Sequence, residues 1–347
     1  MRVFRGFHHP EIASACALTI GSFDGVHRGH QAMLALLANE ARHRGLPSCV
    51  LTVEPHPRDF VAARAGKREL APPRIATLRD KLAELERCGV AQVVVLRFDD
   101  SLAALTPQAF IEQVLVRGLG ARYVLVGDDF RFGARRAGDY ALLDSAGQAQ
   151  GFDVARMQSY EVHGLRVSSS AVRAALAEGD MTRVAALLGR PYAISGHVLH
   201  GRKLGRTLGY PTLNLRFGHP RPAAQGIFVV RVHGLAARRP APGRSQVACA
   251  PLGGRERSEP GAALDGVASL GRRPTVENDG RVLLETHVLD WPQTAGPDDG
   301  YGLVLRVELL HRLREERRYA SVGALREAIA RDEAAARAWL ASAQRGD

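Results

Sequence analysis

The residues best able to do chemistry stand in one run, Leu18-Thr-Ile-Gly21-Ser-Phe23-Asp24-Gly-Val-His27-Arg-Gly-His30. Its two histidines are three positions apart after a glycine-rich turn. A helix starting near Gly29 lets both rings lean toward one anionic group and donate hydrogen bonds to charge developing there. Residues 17–20 read as a short buried strand, and 31–40, with Met33, Leu34, Leu36 and Leu37 as the apolar side, as the helix that follows. Such a turn aims backbone N–H groups and a helix N-terminus at an anion, and Gly29 removes the side chain that would block approach. The run lacks the terminal Gly-Lys-Ser/Thr of a Walker loop. Two histidines in a turn are by themselves more often structural; the whole string points to chemistry at the phosphates of ATP.

Three more strings converge on that turn. In Glu54-Pro-His56-Pro57 two prolines restrict the loop that carries His56, which taken alone is equally a packed or a surface histidine. Gly127-Asp-Asp129-Phe130-Arg-Phe132-Gly133 offers carboxylates for a ribose hydroxyl or a metal and two aromatics to flank a flat ring, with core packing as the alternative. Arg166-Val-Ser168-Ser169-Ser170-Ala-Val-Arg173 puts small donors at a helix entrance and an arginine one turn on, either a clamp for polyphosphate oxygens or an ordinary serine cap.

A second dense string is Gly201-Arg-Lys-Leu-Gly205-Arg206-Thr-Leu-Gly209-Tyr-Pro211-Thr212-Leu-Asn214. Its glycines permit close backbone approach to phosphate, and Arg202, Lys203 and Arg206 supply positive charge. Thr212 and Asn214 alternate onto one side of an extended segment, so both oxygens can meet one Mg²⁺. Farther on, Glu285 lies in an apolar strand, where a carboxylate is expensive unless paired or used. It is either a strand-edge salt bridge or a general base for a primary alcohol attacking a γ-phosphorus.

The elements that must position these groups follow from periodicity. Apolar runs at 49–53, 90–96 and 123–126 alternate with helical patterns at 77–88 and 107–117, which predicts a parallel sheet wrapped by helices, its ligand crevice beyond the carboxyl ends of the strands. Two small helices near 169–178 and 182–188 close that part. From Pro191 the rhythm changes: strands at 193–199, 226–232, 281–289 and 303–310 without intervening helices predict an antiparallel barrel. A terminal helix over 321–343 packs Val322, Leu325, Ile329, Ala336, Trp339 and Leu340. Residues 236–266, rich in Gly, Pro, Ala and Arg, read as a long, partly disordered excursion between barrel strands.

At 347 residues, 46% hydrophobic and 24% charged, the chain has room for two cores, and a disordered or fibrous protein is a poor reading of it. No apolar stretch approaches a membrane span and no secretory segment leads the sequence, so a cytoplasmic protein without membrane partners is expected. The isolated Cys16, Cys49, Cys88 and Cys249 show neither zinc nor disulfide spacing. The net charge of +11 is scattered and lacks interleaved aromatics, which argues against nucleic acid and fits attraction of polyphosphate substrates.

These strings together resemble two known families in order. Residues 19–31, the Glu54-Pro-His-Pro loop, 127–133 and 168–173 resemble the adenylyltransferase half of the bacterial bifunctional riboflavin kinases/FAD synthetases. Gly205–Asn214, Gly271-Arg-Arg273-Pro-Thr275, Leu284–Asp290 and Tyr301-Gly302 resemble the riboflavin kinase domain. The resemblance implies an α/β fold: a Rossmann-like nucleotidyltransferase domain over 1–188, then a six-stranded antiparallel β-barrel kinase domain over 189–347 with a terminal helix. It implies phosphorylation of riboflavin to FMN and transfer of AMP from ATP to FMN, with Mg²⁺ as cofactor, ATP as co-substrate, and FMN and FAD as intermediate and product. His27 and His30 would then contact ATP phosphates, with Gly21, Phe23 and Asp24 completing that site and Ser169, Ser170 and Arg173 holding the pyrophosphate side. His56, Asp129, Phe130 and Phe132 would face the flavin. In the second part Gly205, Arg206, Thr212 and Asn214 would bind ATP, Thr212 and Asn214 also the metal, Arg273 the flavin, and Glu285 would be the base. The chain departs from the family's usual Ser-Ser-Thr at Ser170 and from its usual Asn-Ile-Gly at Ser269-Leu270-Gly271. A monomer or weak homo-oligomer is expected; an enzyme with only one of the two activities and a non-enzymatic flavin- or RNA-binding regulator are the competing readings.

Overall fold

In the computed structural model the described residues are 1–162, 164–200, 205, 209–219, 221–235, 263–272, 282–292 and 300–345. They divide into two units, one of Met1–Pro72 with Lys81–Ser168 and the other of Pro73–Asp80 with the described residues from Ser169 onward.

In the first unit β1 (Arg2–Arg5), β2 (Cys16–Ile20), β3 (Ser48–Glu54), β4 (Gln92–Arg97), β5 (Ala121–Gly127) and β6 (Asp153–Met157) form one six-stranded sheet in the order β1-β4-β3-β2-β5-β6. Every neighbouring pair is parallel. Both faces are covered, which is why the central strands read as unbroken apolar runs. Leu18, Leu51, Val94 and Val124 pack on one side with Ile111, Val114 and Leu115. On the other side Val50, Val93 and Val95 meet Phe23, Val26, Leu34 and Leu85. The helices are α1 (Arg28–His43), α2 (Pro57–Arg64), α3 (Leu78–Arg87), α4 (Asp100–Ala104), α5 (Pro107–Phe110), which widens into a π-type helix over Ile111–Gly118, and α6 (Tyr140–Gln150). On α1 the buried positions are Leu34, Leu37 and Ala41, and the expected core residue Leu36 instead faces water at 50% exposure. The chain steps from β2 outward to β3 and β4, then returns to the far side of β2 as β5, so the order reverses between β2 and β5. A crevice opens beyond the carboxyl ends of strands at such a reversal. The hairpin of β7 (Glu161–Val162) and β8 (Leu165–Arg166) follows the sheet.

The second unit contains α7 (Ser169–Glu178), α8 (Met181–Leu188) and a closed antiparallel barrel. Its strands are β9 (Tyr192–Leu199), β10 (Leu213–Arg216), β11 (Gly226–His233), β12 (Leu264–Arg272), β13 (Val282–Val288) and β14 (Val304–Arg314), arranged β10-β13-β12-β11-β14-β9. Alternate residues such as Ile194, Leu284 and Val307 fill the interior. The outer face of β11 is covered by α9 (Val322–Ala343), where Val229 meets Ala336 and Leu340 with Trp339 half-buried beside them. Val322, expected on the packed side of this helix, is 64% exposed, and Ala328 and Asp332 take inward positions instead. β12 begins within the stretch for which no element was expected; residues 236–262 lie outside the described residues.

Candidate active sites

The turn after β2 is built around His27. It is the N-cap of α1, and its Nδ1 accepts the backbone N–H of His30 at 3.3 Å. An accepting Nδ1 places the ring proton on Nε2, so His27 holds a neutral N–H donor on the side away from the helix. The His30 ring stacks on it with centroids 3.7 Å apart and planes 15° apart, and Phe23 supports His30 at 4.9 Å. A Cβ at Gly29 would lie 3.2 Å from His27 Nδ1 and 3.4 Å from the Val167 carbonyl, so the glycine protects the setting of the imidazole. Phe23 and Val26 have φ of 49° and 41°, which for a β-branched valine is a true outlier. Each such residue costs on the order of 1–3 kcal/mol and persists only where its surroundings over-determine it. Here both side chains are fully buried among Leu34, Val50 and Leu85, and the Gln31 amide donates to the Val26 carbonyl at 2.9 Å. Asp24 is buried in the same turn, and Gly21 lies against the Phe23 ring.

The end of β3 flanks this turn, with Thr52 Oγ1 donating to the Ser22 carbonyl at 3.4 Å. Two residues on, Glu54 accepts from Lys81 Nζ at 2.6 Å, and Lys81 is only 1% exposed. This buried pair was not read from the sequence, where Lys81 looks like a surface lysine of α3; its one signal is the four-residue spacing to the buried Leu85. His56 N-caps α2, its Nδ1 accepting from the Arg58 N–H at 3.1 Å, with Pro57 at the first helical position.

At the end of β5 the two aromatics are not the walls of a slot. Phe130 and Phe132 stack on each other at 5.4 Å and 18°, and Phe132 is a core residue beside Phe110. Phe130 is half-buried. Asp129 is exposed, while Asp128 accepts from Ser159 Oγ and lies 3.6 Å from Arg166. The Ser159 hydrogen bond, then Arg166, holds the Asp128 carboxyl below the usual aspartate range. Ser169 and Ser170 open α7 in the second unit, where Arg173 Nε donates to the Pro73 carbonyl at 2.7 Å.

On the barrel, Asn214 of β10 stands directly opposite Glu285 of β13, and Ser269 of β12 stands opposite Glu285 on its other side. The three side chains therefore share one row on the outer face. Asn214 is 5% exposed, and its Oδ1 has no hydrogen-bond partner among the described residues, the condition of an oxygen that a hard cation would satisfy. Thr212 precedes it by two positions, immediately before β10 begins. Its approach is fixed by Gly205, where a Cβ would meet the Tyr210 carbonyl at 2.2 Å, and by the His287 ring, whose Nδ1 is 2.9 Å from the Pro211 carbonyl. Ser269 donates to Glu316 at 2.6 Å, a carboxylate missed in the sequence. Among the described residues no group of three or more His, Cys, Asp and Glu is placed to hold a metal ion. Arg206 and Arg273 lie outside the described residues.

Against known proteins, residues 9–171 match the FAD synthetase family and residues 188–340 the riboflavin kinase family. The bifunctional riboflavin kinase/FMN adenylyltransferase of Escherichia coli strain K12 is 42% identical over 339 residues, covering 97% of each chain. Its counterpart in Pseudomonas fluorescens is 43% identical over 98% of each. A crystal structure titled as a macrolide-efflux protein from Streptococcus pneumoniae superposes with a TM-score of 0.71 at 26% identity, covering 97% of this chain and 99% of that one. No helix among the described residues is long and apolar enough to cross a membrane. With both family matches in order along one chain, and that identity sustained from end to end, the chain belongs to the bifunctional riboflavin kinase/FMN adenylyltransferase family.

Proposed function

We propose that this chain phosphorylates the 5′-hydroxyl of riboflavin with ATP to give FMN and ADP, then joins FMN to AMP from a second ATP, releasing pyrophosphate as FAD forms. The adenylyltransferase part is assigned to residues 1–188 and the kinase part to 189–347. The observation that carries the reading is the row Asn214–Glu285, an acid beside a buried oxygen with no hydrogen-bond partner among the described residues, in a chain whose first unit holds the stacked His27 and His30 at a strained turn.

In the kinase step Glu285 accepts the proton of the riboflavin hydroxyl as that oxygen attacks the γ-phosphorus, and the γ-phosphorus–oxygen bond to ADP breaks. Thr212 and Asn214 would hold Mg²⁺, which when bound neutralises the ATP phosphates. Gly205 would border the phosphates, and by the resemblance Arg206 would serve ATP and Arg273 the flavin. In the adenylyl step no covalent enzyme intermediate is required, because the FMN phosphate is itself the anionic nucleophile. Its oxygen attacks the α-phosphorus while His27 Nε2–H and His30 donate to the charge that accumulates on the phosphate oxygens. Gly21, Phe23 and Asp24 shape that ATP site, Ser169, Ser170 and Arg173 take the leaving pyrophosphate, and His56, Asp129 and Phe130 border the flavin. Phe132 acts behind Phe130 as its packing support. Substrates are thus riboflavin, FMN and ATP, in a cytoplasmic setting that fits the unbridged Cys16, Cys49 and Cys88.

Incubation with ATP, Mg²⁺ and riboflavin is the direct test. FMN followed by FAD is expected; accumulation of FMN alone, or flavin binding without turnover, would overturn the bifunctional reading.

A further inference from the structure

The last turn of a helix leaves four carbonyls without intrahelical partners, and in α7 these belong to Ala175, Leu176, Ala177 and Glu178. Two are closed by the chain itself: Gly179, at φ +74°, donates to Leu176 at 3.2 Å and Asp180 to Ala175 at 3.0 Å, the paired bonds of a Schellman cap. The remaining two are closed by one residue of the barrel. Arg312 of β14 donates from Nη1 to the Ala177 carbonyl at 3.1 Å and from Nη2 to the Glu178 carbonyl. Its path is cleared by two glycines, since a Cβ at Gly179 would lie 2.0 Å from Arg312 Nε and one at Gly226 3.3 Å from its Cδ. A planar, fork-shaped cation is suited to two adjacent carbonyls, and positive charge at a helix C-terminus is favourable besides.

We propose that Arg312, although it stands on a kinase barrel strand, is a positioning residue for adenylyl transfer. The helix it caps is ten residues long, a rod of roughly 15 Å at 1.5 Å per residue, and its first turns carry Ser169, Ser170 and Arg173. Anchoring one end fixes the other, and Arg173 is tied at the same time to the Pro73 carbonyl. The FAD synthetase match runs through residue 171, whereas Arg312 lies within the riboflavin kinase match, so one part of the sequence holds a functional helix of the other. The inference rests on the reading that α7 takes the pyrophosphate side of ATP.

The test uses the full chain with both half-reactions and the melting curve measured on each preparation. R312M keeps the stem but removes both donors; FAD formation from supplied FMN should fall about ten-fold, as a sub-ångström misplacement of a positioning group does, while riboflavin phosphorylation stays within about two-fold. In pyrophosphorolysis of FAD the KM for pyrophosphate should rise in R312M, and R312K, retaining a cation, should recover part of the loss. G179A, which drives a methyl into the guanidinium, should give the same split with Arg312 itself unsubstituted. Unchanged adenylyl transfer in R312M and G179A, or equal loss of both activities with a lowered melting point, would overturn the inference. R173A separates the layers. If it loses adenylyl transfer while R312M does not, the anchoring role alone is wrong; if R173A is fully active, the reading of α7 falls and this inference with it.

Discussion

His27 turns one ring nitrogen to its own helix and the other away from it, and that division of labour makes the site sensitive to Gly29. Alanine at 29 should leave the fold intact, since an alanine in a helix is favoured over glycine by about 0.5–1 kcal/mol, yet its Cβ would press on His27 Nδ1. FAD formation is expected to drop about ten-fold in G29A with the melting temperature unchanged or raised, and H27A/H30A should lose roughly 10² to 10³. Normal FAD synthesis by either protein, measured with supplied FMN, would remove these histidines from the chemistry. On the barrel, E285Q preserves shape but not basicity; phosphorylation of riboflavin should fall by about 10² to 10⁴ while supplied FMN is still converted to FAD. A structural salt bridge would instead lower stability and spare turnover per folded molecule. Spacing in the sequence puts His27 and His30 at the start of one helix, where the structure has His27 as the N-cap of α1, because the helix period fixes which positions are neighbours. It could not reveal Lys81, which only burial distinguishes from a surface lysine, nor decide between a ring slot and core packing for Phe130 and Phe132, of which Phe132 is core.

The elements were legible where one face is apolar and obscure where neither is. β1 and β6 went unread because they are edge strands, short and carrying Arg2, Arg5, Asp153 and Arg156, which masks the apolar run of a buried strand. The run 227–230 of β11 shows the opposite case, an apolar stretch explained by α9 packing on Val229 from its outer side. That helix is also held by charge: Arg314 grips Asp332 through Nε at 2.7 Å and Nη2 at 2.6 Å, with Asp332 only 10% exposed. The Asp332 hydrogen bond raises the Arg314 pKa further above its ordinary value, so the guanidinium stays charged throughout the accessible pH range. Removing the aspartate leaves a partly buried cation without its partner, and D332A should cost about 3 kcal/mol in urea unfolding. An unchanged unfolding midpoint would show that apolar packing of Ala336 and Leu340 alone docks the helix.

At the scale of the whole molecule, the switch from helix-alternating strands to helix-free strands after Pro191 corresponds to the change from a parallel sheet to a closed antiparallel barrel. What periodicity could not convey is that the segment Pro73–Asp80 and helix α7 cluster with the barrel, because such membership depends on contacts distant in sequence, such as Tyr192 Oη to the Ile75 carbonyl at 2.8 Å and the Asp80 carboxylate to the Ser195 N–H at 3.0 Å. The FMN made by one activity is the substrate of the other, and it is a small, charged, freely soluble molecule. If it leaves the kinase site before it is adenylylated, two proteins each lacking one activity will cooperate in solution. A mixture of E285Q and H27A/H30A, given riboflavin, ATP and Mg²⁺, should therefore form FAD after a lag during which free FMN accumulates. The lag should shorten as the H27A/H30A protein, which retains the kinase, is increased. Neither variant alone should yield FAD from riboflavin. Failure of the mixture to make FAD, while E285Q still converts supplied FMN, would mean that FMN is passed within one chain and never released.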